Sequence, residues 1–235
     1  MKTIKRVMCG LGLLALAPHA IAEVDRGFYL GVGVGESTYK DLSQDEFDDI
    51  VVSSFIGAGA PVISGNSSFE DGATSLAIFA GYRFNPYIAV EGGYINLGAT
   101  EYRFSGQVNP PGPTSSIPAS LSMDIESTGI TLSGLGSIPL TSIFDLHGRL
   151  GFFISDTELK VRTNIEASTA SESETLDSES VFFGVGGAFH IGNHFTVSLD
   201  WTRYDNVGDE DEDDDPDTEA GIDIDLLSVS ASFRF

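Results

Sequence analysis

The sequence predicts an all-β protein, an eight-stranded antiparallel up-and-down transmembrane β-barrel, and three observations lead there. Runs of alternating apolar and small or polar residues recur along the chain, which is the period of a strand. The connections between those runs alternate long and short over the whole length, as the two ends of an outer-membrane barrel do. Beyond the first 22 residues, no stretch approaches the roughly 18 consecutive apolar residues of a membrane-spanning helix. A chain of this kind crosses a bilayer only as a closed barrel, whose strands satisfy one another's backbone groups.

Residues 1–22 read as a signal peptide: Lys2, Lys5 and Arg6 precede an apolar run, and Ala20-Ile21-Ala22 is a small-x-small cleavage site. Cys9, the one cysteine, falls inside it, so disulfide and thiolate chemistry are excluded from the mature chain, residues 23–235. The signal removes three of the 12 basic residues and none of the 35 acidic ones, leaving a formal charge of −26. Nucleic acid is excluded as a partner.

The first strand places Phe28, Leu30, Val32 and Val34 on one face and Gly31, Gly33 and Gly35 on the other. No helix follows these glycines, so they are small residues filling a narrow interior and not a nucleotide fingerprint. Leu76, Ile78, Ala80 and Tyr82 then share a face, as do Ile88, Val90, Gly92 and Tyr94 after a turn at Asn85-Pro86. Keeping both apolar sets on one side demands a loop of three or five residues. A fourth strand carries Ile130, Leu132 and Ile138, and a fifth sets Phe144, Leu146, Leu150, Phe152 and Ile154 outward against Asp145, His147 and Arg149. The sixth and seventh, outward through Phe183, Val185 and Phe189 and through Phe195, Val197, Leu199 and Trp201, flank a turn at Gly192-Asn193-His194. The eighth sets Leu227, Val229, Ala231, Phe233 and Phe235 outward and Ser228, Ser230, Ser232 and Arg234 inward.

Residues 36–74, 99–122, 156–180 and 205–221 are expected to be four long acidic or polar extracellular loops, holding 26 of the 35 acidic residues. A soluble barrel or sandwich would leave an apolar stripe exposed on every strand.

Gly81-Tyr-Arg-Phe-Asn-Pro-Tyr87 with Glu91-Gly-Gly-Tyr94, then Gly148-Arg-Leu-Gly151 and the terminal Phe235, resemble the OmpA-type outer-membrane β-barrel domain in order and spacing across the mature chain. The resemblance implies residence in the outer membrane, contact with its lipid and lipopolysaccharide, and insertion by the outer-membrane assembly machinery, which would read Phe233 and Phe235 as a terminal signal. The best-known member continues into a peptidoglycan-binding domain, whereas this sequence ends at Phe235, so cell-wall anchoring is not implied. Glu91 and Arg149 match that member's internal charge network, while Ser133 and Ser198 stand where basic partners are expected.

Glu91, Asp145, His147, Arg149, Asp200 and Arg234 should all face the lumen and pair there, with Glu91 the first choice for Arg149. A salt-bridged plug is the structural reading and a narrow ion path the alternative. A lipid A-modifying enzyme would need His and Ser together where a lipid can enter, and His190 and His194 are expected at a turn far from the outer leaflet. Asp209, Asp211, Asp213 and Asp215 are the candidates for weak divalent-cation contact. Asp214 stands where a calcium loop needs glycine and Ala220 where it needs glutamate, so a solvated acidic tip is the competing reading. The expected protein is a monomer without cofactor or catalytic residues, acting structurally or through an extracellular ligand that the sequence does not name.

Overall fold

The computed structural model describes residues 26–40, 42–112, 116–165, 168–208 and 221–235. The elements in chain order are β1 (Gly27–Tyr39), α1 (Gln44–Gly57), β2 (Val62–Glu70), β3 (Gly72–Asn85), β4 (Ile88–Val108), β5 (Ile117–Pro139), β6 (Phe144–Ile165), β7 (Ser168–Ile191), β8 (Phe195–Val207) and β9 (Ile222–Arg234). Every pairing is antiparallel, and β4 meeting β5 while β1 meets β9 closes the sheet into a ring.

Nine strands make eight staves. Both β2 and β3 pair with β4, β2 through Glu70↔Glu101 and β3 through Leu76↔Asn96, so they are the outer and inner halves of one stave interrupted at Asp71. The staves are unequal: β1, β8 and β9 have 13 residues each, whereas β4 to β7 have 21 to 24. The extra residues carry five adjacent staves roughly 30 Å further along the strand direction than the other three.

The outward face over the shared height is apolar, with Leu30, Ile78, Leu132, Leu150, Phe152, Val185 and Leu199 all more than half exposed. At the short-turn end it finishes in aromatic rings, including Phe28 on Tyr82 at 4.7 Å, Phe144 on Phe189 at 6.1 Å and Phe195 on Phe233 at 5.1 Å. An apolar band edged by aromatics is the lipid-facing surface of a membrane barrel.

The β3–β4 turn pairs Arg83 with Ala89, leaving the five residues that face-matching requires. Inside it Asn85 pairs Ile88, and the Asn85 side-chain oxygen accepts from the Tyr87 and Ile88 amides at 2.8 and 2.9 Å. A register shift at Phe84 absorbs the odd residue.

The long-loop expectation is corrected for three of the four connections. Residues 99–108, 117–122, 156–165 and 168–180 are strand, continuing β4 to β7 beyond the lipid band. Residues 36–74 contain the end of β1, helix α1 and β2. The expectation failed because the faces exchange chemistry at the edge of the lipid. Along β6, Phe152 and Ile154 point outward within the band, whereas further on Leu159 and Val161 turn inward and Lys160 and Arg162 outward. A pattern searched for apolar-out strands reads the continuation as noise. The fourth connection, with Asp209, Asp211, Asp213 and Asp215, lies mostly outside the described residues.

Helix α1 starts at a capping box, with the Glu46 amide bonded to the Ser43 hydroxyl and the Ser43 amide to the Glu46 carboxylate. Its buried residues Phe47, Val51 and Phe55 recur every four positions, one helical face. Phe47 packs on Phe69 and Tyr102 at 5.2 and 5.1 Å, and Phe55 on Phe104 at 6.0 Å. The helix thus lies against the inward face of the tall staves, and each buried side chain contributes about 1.5–3 kcal/mol.

Candidate functional site

The lumen is built from the inward parity of each strand, and it is layered. Nearest the short-turn end, Asp145 is almost fully buried and gathers three partners. His190 Nε2 lies 2.9 Å and Arg83 Nη1 3.4 Å from its Oδ2, and His147 Nδ1 is 3.7 Å from its Oδ1. His147 Nε2 reaches Asp200 Oδ1 at 2.5 Å, and His190 Nδ1 reaches the Thr196 hydroxyl at 3.0 Å. The next layer is Arg149, whose Nη2 lies 3.0 Å from Glu91 Oε2, while the Tyr29 hydroxyl donates to Glu91 Oε1 at 2.8 Å. A cavity of about 40 Å³ remains among Arg83, Glu91, His147, Arg149 and Arg234, room for a few water molecules.

Local sequence makes this packing fit. Tyr29 stands directly across from Gly81, and Phe79 across from both Gly31 and Gly93, so each ring lies where its neighbour has no side chain. A Cβ on Gly186 would come within 2.8 Å of His147 Nε2, so the His147–Asp200 bond crosses a place that only glycine leaves open.

Above the charged layers the lumen turns apolar. Phe153 and Phe182 are buried against Tyr204, each ring 5.0 Å from it, and Leu97, Ile95, Ile224 and Leu226 continue the fill up to α1. At the same height β4 carries its register shift between Asn96 and Ala99. Gly98 takes φ 81° there, with the Thr74 carbonyl 2.6 Å from any Cβ, and Asn96 Oδ1 accepts the Gly98 amide at 2.6 Å. Outside this level Tyr102 donates to Asp48 of α1; burial, and then the bond to that carboxylate, hold its phenol well above the ordinary range.

Of the residues singled out from the sequence, Glu91 and Arg149 come together in one pair, and Asp145, His147 and Asp200 in another cluster. Arg234 sits at the short-turn end, its guanidinium donating to the Asn193 carbonyl at 3.2 and 2.6 Å. Ser133 is buried, and Ser198 lines the cavity. Phe233 and Phe235 face outward with their rings 5.3 Å apart. Arg83, His190 and Tyr29 were missed as network members, although the alternation that assigned Asp145 inward also puts all three on the lumen side. Among the described residues no group of three or more His, Cys, Asp or Glu is placed to hold a metal ion.

The sequence matches the OmpA-like transmembrane domain over residues 23–235. It is 24% identical to outer membrane protein A of Escherichia fergusonii and 26% identical to that of Salmonella typhi, in each case over the whole of this chain and 55% of the relative. The chain therefore spans about half the length of the curated relatives it matches. Among solved structures it is similar to Ail, the attachment invasion locus protein of Yersinia pestis, with 14% identity, a TM-score of 0.47, 90% of this chain covered and 100% of that one. It is similar also to Neisserial surface protein A, with 14% identity, a TM-score of 0.43, and 89% and 97% covered. The apolar band closed around a charged lumen and the match over nearly the whole chain agree: this chain is an outer-membrane β-barrel and belongs to the OmpA-like transmembrane domain family.

Proposed function

We propose that the protein is a closed, non-conducting barrel that acts structurally and as an interaction surface, with its five tall staves standing on the outside of the cell. The observation that carries this reading is the filled upper lumen. Phe153, Leu97, Ile224 and Val51 have essentially no exposure and belong to one buried cluster with Phe182 and Tyr204. An ion would have to shed its water among these aliphatic and aromatic side chains, where buried hydroxyls such as those of Ser127 and Thr157 are already bonded to each other. The lower network then serves as a plug that fixes neighbouring strands and not as a conduction path.

The extracellular assignment of the tall end follows from barrel construction, in which short turns face the periplasm. The non-enzymatic reading is supported by the histidines: the rings of His147 and His190 are engaged by Asp145, Asp200 and Thr196 inside the barrel, away from the lipid face. Lipid and lipopolysaccharide surround the apolar band, the assembly machinery inserts it, and the chain acts as a monomer.

The test is electrical. Purified barrel reconstituted in planar bilayers should pass no resolvable current at neutral pH, and replacing Val51 and Phe55 with serine should leave it closed, because the Phe153–Phe182–Tyr204 layer lies beneath. Steady unitary conductance in the unmodified protein would transfer the reading to the pore alternative.

A further inference from the structure

The unequal staves leave an unfinished sheet above the lipid band. There β7 pairs with β6 out to Ile165↔Ser168, whereas β8 covers β7 only from Phe182 to Ile191. The Gly208 amide reaches the Ser178 hydroxyl at 2.8 Å as β8 ends. Among the described residues, residues 169–177 of β7 therefore have a strand on one side only, and residues 169–175 are exposed on both faces. A strand edge of this length presents a row of backbone donors and acceptors for another extended segment. Its outer edge also has a sign. Glu172 and Glu174, two positions apart and so on one face, lie across from Val161 and Leu159 of β6, and residues 169–177 include Asp177 and no cation. The chain's own residues 209–220 carry nine carboxylates and no cation, the same sign as this edge and not its complement.

We propose that this edge of β7 takes an extended segment of another protein by strand addition, and that the segment carries two lysines or arginines two residues apart, each opposite Glu172 or Glu174. Main-chain bonds give the affinity and the cation spacing gives the specificity. The inference deepens the surface-interaction reading and rests on the tall end being the outer one.

The experiment uses the full barrel folded in detergent and fluorescent ten-residue peptides of threonine and valine with lysines two apart. N-methylation of alternate amides on one peptide edge should weaken binding at least about tenfold. The same modification on the opposite edge should leave binding within about twofold, because those amides face solvent. Glu172→Gln with Glu174→Gln should weaken the unmodified peptide by a comparable factor, while replacing residues 209–215 with Gly-Ser should preserve the difference between the two methylated peptides. Equal binding of both methylated peptides would show mere charge attraction and overturn the proposal, as would no binding by protein whose circular dichroism shows an intact barrel. Neither result touches the orientation, which protease applied to whole cells reads separately.

Discussion

At the scale of single residues, what decides the effect of a change is whether its partner can reach water. Arg149 and Glu91 pair inside the lumen, and Glu91 is 8% exposed, whereas Arg203 forms its two bonds to Asp225 at 2.7 and 3.0 Å on a partly exposed surface. Truncating one member of a buried pair strands the other, so Arg149→Ala should cost about 3–5 kcal/mol. Arg203→Ala should cost far less, because its pair with Asp225 is open to solvent screening. Thermal melting of the two detergent-folded variants measures the difference, and equal melting temperatures would remove the plug from the lumen's role. Tyr102 offers a second reading. Burial first, and then the Asp48 carboxylate, raise its phenol above the ordinary value of 10.0. A folded-state value above the unfolded one stabilises fully below pH 10 and is lost as pH rises past it, so the docking of α1 should weaken only in strong alkali. Asp48→Asn removes the charge and should bring the phenol down toward its ordinary range. Difference absorbance titration against a Tyr102→Phe control isolates that one group among the seven tyrosines.

At the scale of elements, the sequence was legible wherever lipid enforced its pattern and obscure where water took over. The eight staves, their inward and outward faces and the short turns followed from alternation, because a hydrocarbon surround tolerates no polar side chain on the outer face. The continuations of β4 to β7 were hidden by the reversal of faces, visible in hindsight as Leu159 and Val161 against Lys160 and Arg162. Helix α1 carried an overt signal: Ser43 and Glu46 form a capping box, and Phe47, Val51 and Phe55 follow at helical spacing. Acidic composition masked it. The lumen network was half legible, since alternation chose the right face for Asp145, His147 and Arg149, while the joining of Asp145 to Arg83 and His190 depends on strand tilt and stagger that no single strand encodes. Proteolysis tests the element assignment. Lys160 and Arg162 lie in β6, paired across to Ser173 and Ser171 of β7, so trypsin on whole cells should cut there slowly, through local opening of the hairpin. Asn164→Pro, which leaves both scissile bonds free of proline, should open this end of β6 and speed the cut several-fold, read by electrophoresis.

For the whole molecule, the barrel's stability comes from its ring of backbone bonds and its lipid-facing belt, and owes little to the acidic run. Replacing residues 209–215 with Gly-Ser should leave the melting temperature unchanged, and any weak calcium binding by the unmodified protein should vanish with it; identical calcium titrations would reduce the run to a solvated tip. Deleting Phe235, whose amide bonds to the Phe28 carbonyl at 3.0 Å, should slow membrane insertion and leave precursor in the periplasm, measured by pulse-chase fractionation. The join between β1 and β9 brings the two extremes of the fold together, and on its lumen side it is a ladder of the smallest residues: Gly31 meets Ser232, Gly33 meets Ser230 and Gly35 meets Ser228. Sliding one strand by two positions would return the same small residues to the inside and aliphatic ones to the outside, so side-chain bulk hardly opposes it. The correct alignment is written at the ends, where the Phe235 amide holds the Phe28 carbonyl at 3.0 Å and the Lys40 amide holds the Asp223 carbonyl at 2.8 Å. The barrel thus closes like a zip with smooth teeth and a stop at each end, and its commonest assembly error should be a two-residue slip. With cysteine otherwise confined to residue 9, a Gly33→Cys, Ser230→Cys protein should cross-link in the native join, and Gly33→Cys, Ser232→Cys should cross-link only in slipped barrels, whose share should rise once deletion of Phe235 removes one stop.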